Sequence, residues 1–352
     1  MSRIVLALAT LTLFAFSFVQ TGSTAPQGSF PSPDFLLGDK NSKTQKTGVA
    51  LGPAQNDGKG GTKGSFAVYG GGLPIEVSSL SFSGDGKLLA VGSTPGIVDL
   101  WDVESKKKLF SLEGGTALGL SLDGRILAMD GKGIELYDVA SRALKLRIPR
   151  TVKRPDNIID NLAFNFDGTL LLVTAHGDDD TVFEVSSGRL VATLQNTQHS
   201  QFSKDGSLLI GGNAKHLIVW NTRDWTKASD SPNGPDYVRR IAAFPEKDLA
   251  VIGGPNDARL LQLSSGRELA KVGTGWSNFT SFNQPGTLIF TYVGDAFAVW
   301  DVSGKQHCSR PHLANGTVAL SPNHRWLAAA PVKGGTSVAI WDVQKIVTAC
   351  GL

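Results

Sequence analysis

Three Trp-Asp pairs constrain this chain more than any other feature: Trp101-Asp102, Trp300-Asp301 and Trp341-Asp342. Each closes a short apolar run, IVDLWDV, AFAVWDV and SVAIWDV. Weaker copies fill the gap between the first two, at Tyr137-Asp138, Phe183-Glu184, Trp220-Asn221 and Leu261-Gln262. The seven positions run from 101 to 341 with a mean step of 40 residues. A fixed period of that size marks stacked supersecondary units, each too small to bury its apolar face alone.

A second landmark keeps the same phase. Asp85-Gly86, Asp123-Gly124, Asp167-Gly168 and Asp205-Gly206 stand 13 to 17 positions ahead of their aromatic, with degraded copies at Lys247-Asp248, Pro285-Gly286 and Asn323-His324. Asp-Gly favours the left-handed backbone of a tight hairpin. Apolar runs flank each turn, such as LAFN before the third and TLLLVTA after it. Each unit therefore reads as four short strands, a to d; in the first they are about residues 77–83, 87–93, 97–103 and 109–113. The 41 Gly and 16 Pro suit many turns and disfavour a helical bundle. One four-stranded sheet leaves both faces wet. Seven stacked around an axis cover one another, and closing the ring protects the edges. The expected fold class is all-β, a seven-bladed β-propeller of four-stranded antiparallel blades. Alternating apolar pairs at one phase of the c strands, such as Val98/Leu100, Leu217/Val219 and Phe297/Val299, agree with it.

The period, the Trp-Asp pairs and the Asp-Gly turns together resemble the WD-repeat family of β-propellers, over about residues 64–352. No Gly-His pair precedes any a strand, so the likeness is to a divergent member. The resemblance implies a platform for protein partners. It also implies that an N-terminal strand completes the last blade, because little chain follows the seventh c strand. The piece FAVY at residues 66–69 is placed to do this, and residues 346–349 are the other candidate. On the first alternative, deleting residues 1–63 leaves the ring closed.

Ahead of the repeats lie two segments of different character. Arg3 precedes an unbroken apolar or small run at residues 4–19, and a short polar stretch follows. Residues 1–25 therefore read as a signal peptide. The run is shorter than the roughly 20 residues that span a bilayer, so no stable membrane span is expected after cleavage. Residues 26–63 are rich in Gly, Pro, Ser, Thr and Lys and show no hydrophobic period, which reads as a disordered linker. The expected localisation is exported, periplasmic or secreted. The net charge is +3, of which Arg3 gives +1 and residues 26–63 give +2 from five Lys and three Asp. Residues 64–352 are neutral by the same count, so no general nucleic-acid partner is expected.

The search for chemistry finds neither a phosphate-cradling loop, a GxSxG elbow nor an HExxH helix. The six His, at 176, 199, 216, 307, 312 and 324, fall in four blades and read as solvated loop residues. No cofactor is expected. The run His176-Gly177-Asp178-Asp179-Asp180 fills the third b–c loop. Clustered oxygens suit Ca²⁺ or a cationic partner, and a longer solvated loop explains the run equally. Asp180 falls where other c strands place Val98, Ile134 or Leu217, so it is either paired or outside the strand. Large and basic residues gather in the neighbouring d–a loops: Lys153, Arg154, Tyr237, Arg239, Arg240 and Trp276. In this architecture b–c and d–a loops share one rim. Arg154, Asp178, Asp179, Tyr237, Arg239 and Trp276 are accordingly a candidate partner-binding rim, of types that dominate interface hot spots.

The two Cys are too few for a disulfide scaffold. Cys308 follows Asp301 by seven residues and Cys350 follows Asp342 by eight, equivalent places in adjacent blades. In an oxidising compartment they are expected to bridge; two free thiols are the alternative. Two functions remain open. One is a monomeric, exported, non-enzymatic scaffold for a protein partner. The other is a propeller enzyme or small-ligand or metal binder that uses the central channel, where Asp160 is an exceptional charged residue on an a strand.

Overall fold

The computed structural model describes residues 30–38, 76–94, 96–150, 158–213, 216–232, 237–314, 316–330 and 337–352. Residues 1–29, 39–75 and 151–157 lie outside it, and with them the expected signal peptide, the 66–69 strand, Lys153 and Arg154. Among the described residues, seven four-stranded antiparallel sheets account for all strands. The first sheet runs Val77–Phe82, Leu88–Ser93, Ile97–Asp102 and Lys107–Glu113, close to the spans read from the repeat. The other c strands are Ile134–Asp138, Asp180–Glu184, His216–Asn221, Asp257–Gln262, Ala296–Asp301 and Val338–Asp342, each carrying its repeat's aromatic or substitute. Each a strand touches the a strand of the next sheet, and that of the seventh, Val318–Leu320, touches that of the first. The result is a closed seven-bladed β-propeller.

Burial follows the blade geometry. The b strands are enclosed on both faces, as in Leu171, Leu172 and Val173 of the third blade. The d strands lie outside and alternate, Lys107–Glu113 exposing its lysines and half-burying Phe110 and Leu112. The apolar clusters lie between adjacent blades, for example Leu136 and Ile148 of blade two against Leu162 and Leu171 of blade three. Crowding at the axis dictates Gly119: a Cβ there would stand 2.2 Å from the Leu162 carbonyl oxygen of the next blade.

The Asp-Gly turns share one bonding plan. In the first, Ser83 Oγ donates to Asp85 Oδ1 at 2.8 Å and accepts from Leu88 N at 3.0 Å, while Gly86 has φ +70°. Ser121, Asn165 and Ser203 accept from Ile126, Leu170 and Leu208 in the same way. The seventh blade keeps the plan with Ser321 and Asn323, but His324 replaces Gly and still adopts φ +58°.

Ring closure differs from both sequence expectations. The outer strand of blade seven is Phe35–Leu37, paired antiparallel with Val338–Asp342. Those three residues lie inside the segment read as a disordered linker. Residues 346–349 belong instead to a helix, Val343–Ala349, capped by Asp342 through Gln344 N at 2.9 Å. Deleting residues 1–63 therefore removes the closing strand. Residues 30–37 are held by further contacts. Trp341 Nε1 donates to Pro31 O at 3.1 Å, Phe30 meets Phe297 and Trp341 edge-on, and Lys345 pairs with Asp34. Cys308, in strand Gln306–Pro311, is bonded to Cys350 at the helix end, with Cα atoms 5.3 Å apart. The bond ties the helix to blade six.

Candidate functional site

The rim formed by d–a and b–c loops departs most from the repeat. Strand Ile159–Phe164 enters the third blade with Asp160 at its start. Beside it, His176 Nδ1 stands 3.9 Å from Asp160 Oδ2, outside hydrogen-bond range, and that oxygen is buried with no hydrogen-bond partner. Burial pushes the Asp160 carboxyl up, against the opposing charges of His176, Arg240 and Arg239.

Asp180 is the first residue of its c strand and is fully buried. Its Oδ2 accepts from Ser200 N at 2.8 Å and Ser200 Oγ at 2.5 Å. Ser200 lies in the next blade, two residues before Phe202, where the first three blades place Leu80, Leu118 and Leu162. A polar pair thus replaces an apolar one at the junction of blades three and four. Burial pushes the Asp180 carboxyl up to about 7. The adjacent His199, in strand Gln198–Phe202 with φ +52°, is driven down to about 4 by burial and then by Arg240, Arg239 and His176. The sequence reading of His199 as a solvated loop residue is corrected. So is that of His307, which sits in a d strand and bonds Asp301 at 2.9 Å.

Tyr237 leads into the fifth blade and meets the His199 ring edge-on at 6.0 Å. Arg239 lies over the Trp276 ring at 3.9 Å and reaches Ser277 O in the sixth blade at 3.3 Å. Arg240 donates through Nε to Asn278 O at 2.9 Å and through Nη1 to Arg239 O at 2.8 Å. Both guanidinium pKa values are lowered by burial. Trp276 itself is 47% exposed. Tyr237, Arg239 and Trp276 thus form one patch across the fourth, fifth and sixth blades, near His199 and Asp160.

Asp178 and Asp179 are on the same rim but in other roles. Asp178 is buried, and Asp179 Oδ1 accepts from Asn196 N at 2.9 Å, fastening the b–c loop to the next d–a loop. Among the described residues, no three His, Cys, Asp or Glu side chains converge as metal ligands. Sequence reasoning missed His199 and Ser200. Their signal was visible in hindsight: a serine where the repeat wants an aliphatic side chain, opposite an aspartate with the same defect.

A family profile described as the anaphase-promoting complex subunit 4 WD40 domain matches residues 66–130. Pre-mRNA-processing factor 19 from Oryza sativa subsp. japonica is 31% identical over 151 residues, covering 40% of this chain and 28% of that protein. WD repeat-containing protein slp1 from Schizosaccharomyces pombe is 24% identical over 255 residues, covering 67% of this chain and 51% of that protein. The chain thus spans about half the length of these relatives or less. Among the described residues, no helix is long and apolar enough to cross a membrane.

Proposed function

We propose, from the premise that this chain is a divergent WD-repeat β-propeller, that it is a non-enzymatic scaffold whose loop-bearing rim binds a protein partner. The similarity to WD-repeat proteins supports a scaffold in general. One observation carries the choice of rim: a half-exposed Trp276 with the Arg239 guanidinium 3.9 Å from its ring centre, on the rim that also carries Tyr237. A rigid aromatic clamped by a guanidinium spends little further entropy when a partner covers it. Asp178 and Asp179 support the rim by fixing its loops.

Cross-linking in the native host identifies the partner, and binding is then measured with Trp276→Ala and Arg239→Ala. A loss of tenfold or more in affinity is expected for Trp276→Ala, about 1.4 kcal/mol or above. Unchanged affinity in both variants excludes this rim. The reading also includes export and a monomeric chain. The apolar run at residues 4–19 and the Cys308–Cys350 bond support export, because such bonds persist in oxidising compartments. Mass spectrometry of the native protein should find a start between about residues 20 and 27; an intact Met1 in exported material excludes it.

A further inference from the structure

Two neighbouring cations stand on the loop-bearing rim, Arg239 and Arg240, both partly buried. Arg239 donates through Nε to Ser277 O, and its guanidinium lies 3.9 Å from the Trp276 ring centre. Arg240 donates through Nε to Asn278 O and through Nη1 to Arg239 O. The two side chains thus reach consecutive carbonyls of the next blade, at the bulge between Ser277 and Phe279. Nothing in the repeat calls for a cation here. Four residues before the last a-strand residue, the other blades place Ser78, Thr116, Asp160, Gln198, Asn278 and Gly316 where the fifth has Arg240.

Among the described residues, neither guanidinium pairs with a carboxylate. Basic side chains elsewhere on the blades do find one: Lys108 has Asp99, Arg147 has Glu135 and Arg259 has Asp257. Asp160, on the same rim, has His176 at 3.9 Å, and burial pushes its carboxyl up, which makes it a poor counter-charge. A guanidinium drawn partly out of water without an opposite charge is costly, and carbonyl oxygens return only part of that cost. Two such groups side by side add mutual repulsion. Both terminal nitrogens of Arg239 and Nη2 of Arg240 take no hydrogen-bond partner among the described residues and remain open to solvent. They are free donors beside an indole that is itself 47% exposed.

We propose, resting on the reading of this rim as the partner surface, that the partner presents an acidic peptide segment to it. A Glu or Asp carboxylate takes hydrogen bonds from the terminal N–H groups of Arg239, Arg240 adds positive charge beside it, and an adjoining apolar side chain covers Trp276. The surroundings favour one carboxylate over a polyanion. Residues 64–352 are neutral by count, and Asp160, Asp178 and Asp179 share the rim, so a nucleic acid or a heavily phosphorylated chain meets repulsion.

The test pans the full chain against a phage-displayed library of random peptides. Enriched peptides should carry Asp or Glu beside an apolar residue. The most enriched one is then synthesised with Glu, Gln or phosphoserine at the acidic place, and affinities are measured by isothermal titration. The Gln form should bind about tenfold more weakly or worse than the Glu form. Arg239→Gln should weaken the Glu form by a similar factor and leave the Gln form nearly unchanged, a coupling that damage to the fold does not produce. Trp276→Ala should weaken both forms alike. No enrichment, enriched peptides without an acidic residue, equal affinity for the Glu and Gln forms, a Glu preference that survives Arg239→Gln, or tighter binding of the phosphoserine form each overturns the proposal. Loss of binding in Trp276→Ala with equal affinity for the Glu and Gln forms overturns it while the rim assignment stands. A cross-linked partner indifferent to both Trp276→Ala and Arg239→Ala removes the rim assignment itself.

Discussion

The two ends of the ring are built by different rules. At the a–b end, one local plan recurs: a Ser or Asn side chain accepts the backbone N–H five residues on, as Ser83 does from Leu88 and Ser203 from Leu208. At the other end, loops differ in length and the bonds cross blades, as Asp180 to Ser200 and Arg240 to Asn278 do. The first end is mainly local in sequence and repeats, with blade-to-blade bonds such as Gly84 N to Leu122 O at 2.7 Å added to the plan. The second is a set of one-off contacts between neighbours, which frees its surface to differ from blade to blade. The lesson is that regular turns set the scaffold, and the contacts that depart from them are those made between particular pairs of blades.

The comparison breaks most severely where no repeat rule applies, at the closing strand. Deleting residues 1–38 should expose the edge of Val338–Asp342 and leave aggregated protein by size exclusion. Leu37→Ala alone, at a fully buried position, should cost about 2–5 kcal/mol in chemical denaturation. Next comes the Cys308–Cys350 bond, which closes a separation of 42 residues. Substituting both with Ser should destabilise by roughly 4 kcal/mol or less, read as a fall in denaturation midpoint.

The third effect depends on pH and isolates the blade three–four junction. The Asp180 pKa of about 7 lies above the ordinary carboxylate value, so its contribution is full at low pH and is lost as pH rises through 7. His199, at about 4, lies below the ordinary imidazole value, so the fold gains stability as pH rises from 4 towards 6.5. The two slopes oppose each other in that window, within a field that also includes Arg239, Arg240, His176 and Asp160. His199→Gln should leave stability falling with pH, and Asp180→Asn should leave it rising, each by at most about 1.4 kcal/mol per pH unit. Parallel profiles for the two variants would contradict the assignment. Smaller still, Ser121→Ala should cost about 1 kcal/mol, since Ser121 is buried and its Oγ joins Asp123 and Ile126 N. Trp276→Ala should change stability by less than about 0.5 kcal/mol, because it is a surface residue. A larger loss there would make the patch a structural element rather than a docking surface.

What was legible in the sequence follows the same division. The seven c strands, the turns and the blade count follow from spacing, because each depends on residues within one unit. Cys308 and Cys350 were legible because equivalent places in adjacent blades are neighbours in space. The closing strand was not. Three residues, Phe35–Leu37, are too few to show a period and sit amid Gly, Pro and Ser. The helix was hinted at by Asp342, a strong N-cap ahead of Val-Gln-Lys, and a helix there leaves blade seven lacking an outer strand. On the rim, Trp276, Arg239 and Tyr237 were found by residue type. The contacts of Arg239 with Trp276 and of Tyr237 with His199 depend on chain folding between blades, which one sequence does not encode by distance. His324 was seen only as a degraded turn, because strain is a property of φ and not of composition.

The pairing of Phe35 with Ile340 also decides the order in which the molecule can be completed. The two residues are about 300 positions apart, so bringing them together costs roughly 5 kcal/mol of chain entropy before any contact rewards it. Blades one to six hold all their strands between residues 77 and 311 and can assemble from local hairpins as the chain emerges. Blade seven cannot, because its inner three strands emerge last and its fourth was made first. The nascent protein therefore spends the end of its synthesis as an open arc with a bare edge, and the segment 30–38 must stay uncommitted until that edge arrives.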